Sequence, residues 1–285
     1  MKVGLVLEGG AMRGMYTAGV IDVLLENNIK VDGIIGVSAG ALFGVNYCSK
    51  QKERVLRYQK KYVKHKNYMG ISTLLKTGNI INNEIAFDEI PFKTDIFDEE
   101  EFQKSKTDFQ LVITNIKTGQ PEYIKITNTK EQMKYFIATS AMPYVSKIVE
   151  IGNDKYLDGA LADSIPIKKM ESMGYDKIIV VLTKPQGYKK KKHSPLISKL
   201  KYKKYPELQK AINTRYLHYN ETIDYIDEKE KDGEIIVLRP SRKVKMSRIE
   251  NDIKKLQEMY DLGVEDTKNN LDKIRNFIGN KQMKK

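Results

Sequence analysis

The chain reads as an α/β protein: a mostly parallel central sheet with helices on both faces and a helical C-terminal extension. Three observations carry that expectation. The apolar runs at residues 3–7, 33–36 and 177–182 have the length and β-branched content of strands buried on both faces. The first two each end in a glycine-rich turn that leads into a helical pattern, the alternation that builds a parallel sheet. A chain of 285 residues is long enough to bury one large core of this kind.

The elements follow in order. Residues 3–7 form a strand, and a helix runs from about Arg13 to Asn27 with Ala18, Ile21, Val23, Leu24 and Leu25 as its apolar positions. A strand at 33–36 turns at Ser38 into a helix whose Ala41, Leu42 and Val45 fall at helical spacing. Residues 50–68 read as a basic helix with Val55, Leu56, Tyr62 and Val63 facing inward. Residues 70–106 mix short helices and loops. Within them Asp95, Asp98, Glu99, Glu100 and Glu101 make a solvated helix start, because no histidine or ligand spacing accompanies them. Residues 108–126 read as a hairpin about Lys117-Thr118-Gly119-Gln120. Next come a helix near 130–139, strands at 145–151 and 155–157 joined at Gly152, a helix at 166–173 opened by Pro166, and the buried strand at 177–182. Beyond a lysine-rich stretch, 206–231 reads as a long helix and 234–238 as a strand. Residues 247–280 read as helical, with Ile249, Ile253, Leu256 and Met259 on one face and a break at Leu262-Gly263. The expected division is a core over 1–183, a basic loop over 184–205 and a mainly helical region over 206–285 packed on the core.

Three segments carry chemistry. Gly36-Val37-Ser38-Ala39-Gly40 has the form of a nucleophile elbow, in which a strand turns sharply at a serine and enters a helix. A side chain at Gly36 or Gly40 would crowd that turn. The competing reading is a tight turn in which Ser38 caps the helix. Gly9-Gly10-Ala11-Met12-Arg13-Gly14 follows the first strand and suits a loop whose backbone N–H groups receive an anion. A nucleotide loop is the alternative. Ala11 spoils the strict Gly-x-Gly-x-x-Gly, but Asp32 stands about where a ribose-binding acid would. Asp158-Gly159-Ala160 is a turn that would hold Asp158 rigidly as a general base.

Together, in this order, these segments resemble the patatin-like phospholipase family. The Ala138-Thr139-Ser140-Ala141-Met142-Pro143 stretch and the Asp163-Ser164-Ile165-Pro166 tail add to the resemblance, which covers residues 3–183. It implies a three-layer sandwich and a Ser–Asp dyad. Ser38 would attack an ester carbonyl and Asp158 would take its proton without an intervening imidazole. The amides of Gly9, Gly10 and Ala11, assisted by that of Ala39, would receive the oxyanion, and Arg13 would offset charge near the loop. Gly14, Gly36, Gly40 and Gly159 would be the elbow and turn glycines. No metal or organic cofactor is implied. The departures, Ala11 and Ala160 where the family has glycine, remove no backbone N–H. His65, His193 and His218 read as surface or packing residues, although His193 and His218 satisfy the Ser…Asp…His chain order of an ordinary α/β-hydrolase. The leading expectation is a lipid acyl hydrolase acting through an acyl-enzyme. The alternatives are a non-catalytic lipid- or acyl-binding regulator on the same scaffold, and a nucleotide-binding domain.

A net charge of +13 and a pI near 9.4 favour anionic partners. Lys184, Lys189, Lys190, Lys191, Lys192, Lys199, Lys201, Lys203 and Lys204 cluster without an acidic residue, interleaved with Tyr188, Leu196, Ile197, Leu200, Tyr202 and Tyr205. This pattern fits either a solvated loop or docking on an anionic membrane, where each lysine near the surface contributes about 1 kcal/mol. Nucleic acid is not expected, since no helix-turn-helix, zinc or RNA-recognition signature accompanies the charge. No run approaches the ~18 apolar residues of a membrane span, and residues 3–7 are too short for a signal-peptide core. Cys48 stands alone, which excludes an internal disulfide and suits a reducing compartment. The expected location is the cytoplasm, peripheral to the inner membrane face.

Overall fold

The computed structural model describes residues 1–192 and 194–279. Its elements run β1 (Val3–Leu7), α1 (Met15–Glu26), β2 (Gly33–Val37), α2 (Ala39–Cys48), α3 (Arg54–Tyr62), α4 (Ile71–Thr77), α5 (Glu99–Lys104), β3 (Asp108–Asn115), β4 (Pro121–Lys125), α6 (Met133–Ser140), β5 (Val149–Ile151), β6 (Asp154–Asp158), α7 (Ile167–Ser172), β7 (Lys177–Val181), α8 (Leu196–Lys201), α9 (Pro206–Lys231), β8 (Ile235–Leu238), α10 (Ile253–Asn269) and α11 (Leu271–Phe277). One 8-stranded sheet has the order β5-β6-β3-β2-β1-β7-β8, with β4 paired to β3 off that path. The pairings from β3 across to β8 are parallel, and those of β4, β5 and β6 are antiparallel.

Every residue of β1 and β2 is buried, as central strands covered on both faces require. Alternation along each strand divides the core. Leu5, Leu7, Ile34, Leu111 and Ile179 pack with α1, α2 and α10 on one face. Val6, Ile35, Val112 and Val180 pack with Met170 of α7 and Tyr219, Ile223 and Ile226 of α9 on the other. The result is helix, sheet, helix, with the carboxyl ends of β1 and β2 opening on one edge.

Several boundaries differ from the sequence reading. The basic helix is only Arg54–Tyr62, because Lys50 (φ 52°) and Glu53 (φ 57°) take the left-handed conformation and stop a helix before Arg54. The strand expected over 145–151 shrinks to Val149–Ile151, since Tyr144 has φ 73° and the Val145 carbonyl accepts from the Ile80 amide instead of a strand neighbour. The Leu262-Gly263 pair does not break α10. A Cβ on Gly263 would lie 2.2 Å from the Tyr16 carbonyl oxygen, and one on Gly19 would lie 2.2 Å from that of Tyr260. These glycines let the backbones of α1 and α10 meet. Ile249 precedes α10 and is exposed rather than packed on its inner face. Asp98 caps α5 by accepting from the Glu101 amide at 2.8 Å, and Cys48 is buried at the end of α2.

Candidate active site

At the end of β2 the backbone of Ser38 adopts φ 54° and ψ −124°, an unusual conformation for a residue with a side chain. The carbonyl of Ser38 accepts from the Ala41 and Leu42 amides at 2.9 and 3.0 Å and so starts α2. A Cβ at Gly40 would lie 2.4 Å from the Leu7 carbonyl oxygen, and one at Gly36 would lie 2.6 Å from the Ala41 Cα. The turn is therefore closed to side chains on both flanks. The Ser38 side chain makes no capping bond. Its Oγ instead donates to Asp158 Oδ2 at 2.9 Å.

Asp158 ends β6, where it pairs with Ile113 of β3, and begins the short turn Gly159–Leu161. Its Oδ1 accepts from the Ala160 amide at 2.9 Å. A Cβ at Gly159 would lie 2.1 Å from the Val112 carbonyl oxygen, so the turn sits directly on β3. Burial pushes the Asp158 carboxyl above the usual carboxylate range, against the opposing pull of the Arg215 charge and of the bonds from Ala160 and Ser38.

The glycine loop leaves β1 beside the elbow. A Cβ on Gly9 would be 3.1 Å from Ser38 Cβ, and one on Gly14 would be 2.9 Å from Ala39 Cβ. Ala11 has φ 48°. The amides of Gly9, Gly10 and Ala11 find no backbone or side-chain acceptor among the described residues. The Ala39 amide lies in the first turn of α2, where helix geometry supplies no acceptor. Ser38 thus stands beside free N–H groups and the positive end of a helix.

Two cavities meet at Ser38. A narrow apolar pocket of about 120 Å³ runs past Leu42, Phe43, Phe87, Ile90, Met133 and Phe136. A larger cleft of about 680 Å³ holds the glycine loop, Asp158 and a set of basic side chains. Arg13 lines that cleft, its Nε without a partner and its charge disfavoured by burial.

A family model described as patatin-like phospholipase matches residues 5–170, more than half of the chain. The chain belongs to the patatin-like phospholipase family. A second model, a domain of unknown function (DUF6363), matches residues 205–279 of this patatin-like protein. The uncharacterized protein YjjU of Escherichia coli is 27% identical over 65% of this chain and 52% of its own length. Lysophospholipase nte1 of Aspergillus terreus is 29% identical over 66% of this chain and 12% of its own length. The chain therefore spans about half of the bacterial relative and a small part of the fungal one. VipD from Legionella pneumophila superposes with a TM-score of 0.48 and 14% identity, covering 95% of this chain and 67% of VipD.

The remaining candidates lie apart from the patatin-like elbow. His218 is exposed beside Glu221 and His65 is exposed next to Tyr62, while His193 lies outside the described residues. Asp32 accepts from the Val3 amide at 2.7 Å, at the amino end of β1 and a strand's length from the glycine loop. That is the wrong end of the sheet for a ribose-binding acid. Among the described residues no cluster of His, Cys, Asp and Glu is arranged to hold a metal ion, and no helix is long and apolar enough to cross a membrane.

The lysine stretch is less uniform than its composition suggests. Lys189 pairs with Asp224, and Lys201 Nζ donates to the Tyr144 carbonyl at 2.8 Å. Lys190 turns inward with its Nζ 3.2 Å from the centre of the Tyr219 ring. Tyr202, expected to face outward, is buried and its hydroxyl accepts from the Tyr144 amide at 2.9 Å. Lys191, Lys192, Lys199, Lys203 and Lys204 remain exposed.

Sequence reasoning did not single out Thr139, whose hydroxyl accepts from the Ser38 amide at 3.0 Å and donates to the Val112 carbonyl at 2.6 Å. Nor did it single out Arg215 and Arg248, which reach the cleft from the C-terminal third. The only advance sign of Thr139 was its place in the Ala138–Pro143 stretch.

Proposed function

We propose that the protein hydrolyses carboxylic esters of lipids, with Ser38 as nucleophile and Asp158 as its base. The observation that supports this most directly is the 2.9 Å bond from Ser38 Oγ to Asp158 Oδ2, next to amides that lack acceptors. Ser38 Oγ adds to the ester carbonyl carbon as its proton passes to Asp158 Oδ2. The oxyanion is received by the amides of Gly9, Gly10 and Ala11, with that of Ala39 at the helix start. Arg13 offsets charge beside the loop. The tetrahedral intermediate collapses to an acyl-Ser38, and the alcohol leaves with the proton from Asp158. Water then adds to the acyl-enzyme with Asp158 again as base, and Ser38 is released. A carboxylate is a weak base for a serine hydroxyl. The raised Asp158 pKa improves the match, and fixed donors and positioning supply the rest of the acceleration.

The two cavities sort the substrate. The apolar pocket takes one acyl chain, the cleft takes the headgroup, and the ester lies between them at Ser38. The narrowness of the apolar pocket beside Ser38 favours a single-chain ester, in accord with the name lysophospholipase carried by the fungal relative. The mouth is suited to a membrane surface. Ile71 and Leu75 of α4 and Leu196 and Leu200 of α8 are exposed, and the 144–147 segment at the cleft bonds to Asn79 and Ile80, just after α4, and to Lys201 of α8. With Lys199, Lys203 and Lys204 nearby, this rim would rest on an anionic bilayer.

A fluorophosphonate probe tests the chemistry. Wild-type protein is expected to be labelled at Ser38 and to hydrolyse a lysophospholipid in the presence of a chelator. Ser38→Ala should do neither, and Asp158→Asn should lose turnover at least a thousandfold while remaining folded. Folded wild-type protein that takes no label would favour a non-catalytic lipid-binding protein.

A further inference from the structure

We infer that residues 205–279, together with the basic stretch after β7, give the active-site cleft a subsite for the phosphate of an anionic lipid headgroup. The assignment rests on the reading above only in taking Ser38 as the place where the ester lies. Basic side chains from separate parts of the chain converge on the one cleft that contains Ser38 and Asp158. They are Arg13 from the glycine loop, Lys184 and Lys190 after β7, Arg215 on α9, and Arg248 between β8 and α10. Arg215 and Arg248 lie within the segment matched as a domain of unknown function.

None of these cations is in an ion pair among the described residues. The cleft does contain a buried carboxylate, Glu8, whose charge acts on Arg13, Lys184, Lys190 and Arg215 although none of them reaches it as an ion pair. It accepts from the amide and hydroxyl of Thr183 and from the Tyr219 hydroxyl. Asp158 is bound to Ser38 and Ala160. Of the basic side chains, only Arg215 donates to another side chain, to Ser164 Oγ at 3.3 Å. Keeping basic groups protonated without a paired anion in a partly dry cleft is costly. The cost appears in their acidity: burial, with the Arg13 charge, pulls Lys184 down to about 8, and burial, with the Arg215 charge, pulls Lys190 down to about 6. An anion in the cleft would reverse that penalty.

The chemistry points to phosphate. A phosphate carries up to two charges and several acceptor oxygens, which suits convergent guanidinium and ammonium donors. The cleft, at about 680 Å³, is much larger than a lone phosphate and shares Ala11, Ser38 and Met142 as lining with the apolar pocket. A headgroup joined to an acyl chain would fill both spaces at once.

The test uses Ser38→Ala protein, so that no ligand is consumed, and isothermal titration with two ligands of the same chain. 1-Octanoyl lysophosphatidate is expected to bind at least tenfold more tightly than 1-octanoylglycerol. Arg248→Gln and Lys184→Gln should each cut that ratio by about tenfold, and 0.5 M salt should narrow it. Binding of 1-octanoylglycerol reports that each variant is folded. Equal affinity for the two ligands, or no binding of either, overturns the inference. So does a ratio that survives both substitutions. Inorganic phosphate or octanoate that binds as tightly as lysophosphatidate would identify a free anion as the ligand and overturn the headgroup assignment. Because residue 38 is alanine throughout, these outcomes are separate from the labelling experiment that tests hydrolysis.

Discussion

Replacing Thr139 with valine should damage the site without touching either cavity. Ser38 is held at φ 54°, a conformation that costs about 1–3 kcal/mol and persists only where its surroundings enforce it. Thr139 supplies one such restraint, with its hydroxyl bridging the Ser38 amide and the Val112 carbonyl at 3.0 and 2.6 Å. The side chain is fully buried. Valine keeps the shape and removes the bridge, leaving a buried amide and a buried carbonyl each short of a partner. At about 1–3 kcal/mol for each such group, partly relieved by relaxation, the expected loss is about 2–4 kcal/mol. For a chain of this size that lowers the melting temperature by about 3–7 °C. Thr139 lines neither cavity, so KM should hold while kcat falls at least tenfold as the Ser38 hydroxyl loses its fixed position. Thermal unfolding and hydrolysis of a soluble lysophospholipid give the two readouts. Thr139→Ser restores the bridge and should recover kcat and most of the stability. A valine variant with wild-type kcat and melting temperature, or a serine variant as impaired as valine, would refute the reasoning.

Other expectations follow from the same geometry. If Asp158 must be ionised to act, kcat/KM should fall on acidification along a limb lying above the ordinary carboxylate value of about 3.9, and a limb at or below that value would contradict a base raised by burial. The same shift has a stability consequence. A carboxyl whose folded pKa exceeds its unfolded one favours folding in its protonated form, and this advantage is lost as pH rises through the folded value. Asp158→Asn should therefore melt higher than wild type at pH 8, with the gain fading as pH falls through the folded pKa toward the unfolded one; a gain that grows toward acid would reverse the sign. Leu196→Gln combined with Leu200→Gln should weaken sedimentation with anionic vesicles severalfold while sparing turnover of a monomeric ester, and unchanged vesicle binding would remove α8 from the docking surface.

What the sequence makes legible here is what local backbone demands dictate. Gly36 and Gly40 are needed because the turn at Ser38 leaves no room for a Cβ, and Pro166 marks a helix start because it has no N–H to place. β1 and β2 stand out because strands covered on both faces have no polar side to interrupt the run. Gly263 misleads for the complementary reason. Its role is a contact with Tyr16, far away in the chain, and a glycine that permits a helix crossing looks the same in sequence as one that ends a helix. Lys190 and Tyr202 mislead similarly, since a lysine-rich stretch has no periodicity to distinguish inward side chains from outward ones. Arg215 and Arg248 were hidden because a basic residue in a basic chain carries no local signal, and only the folding of α9 and of the β8–α10 connection over the cleft gives them meaning.

The C-terminal third also bears on how the elbow is held. The family match ends at residue 170, yet β1, which presents the glycine loop, pairs along its whole length with β7 at 177–181, and β7 is covered in turn by β8 at 235–238. Without β8, the β7 edge would present unpaired N–H and C=O groups to solvent. Glu8, the last residue before the glycine loop, is anchored through Tyr219 of α9, and the Met12 amide within the loop reaches the Arg248 carbonyl through a long 3.4 Å bond. On the other face α10 lies backbone against backbone on α1, the helix that the loop leads into. The loop is thus held at its start by Thr183 and by Tyr219 of α9, in its middle by the β8–α10 connection and at its end by α10. Free amides can receive an oxyanion effectively only if they do not have to reorganise when it forms. Residues 205–279 thus add restraints on the glycine loop to those from β2, β7 and Thr183, so this segment belongs to the same physical unit as the serine.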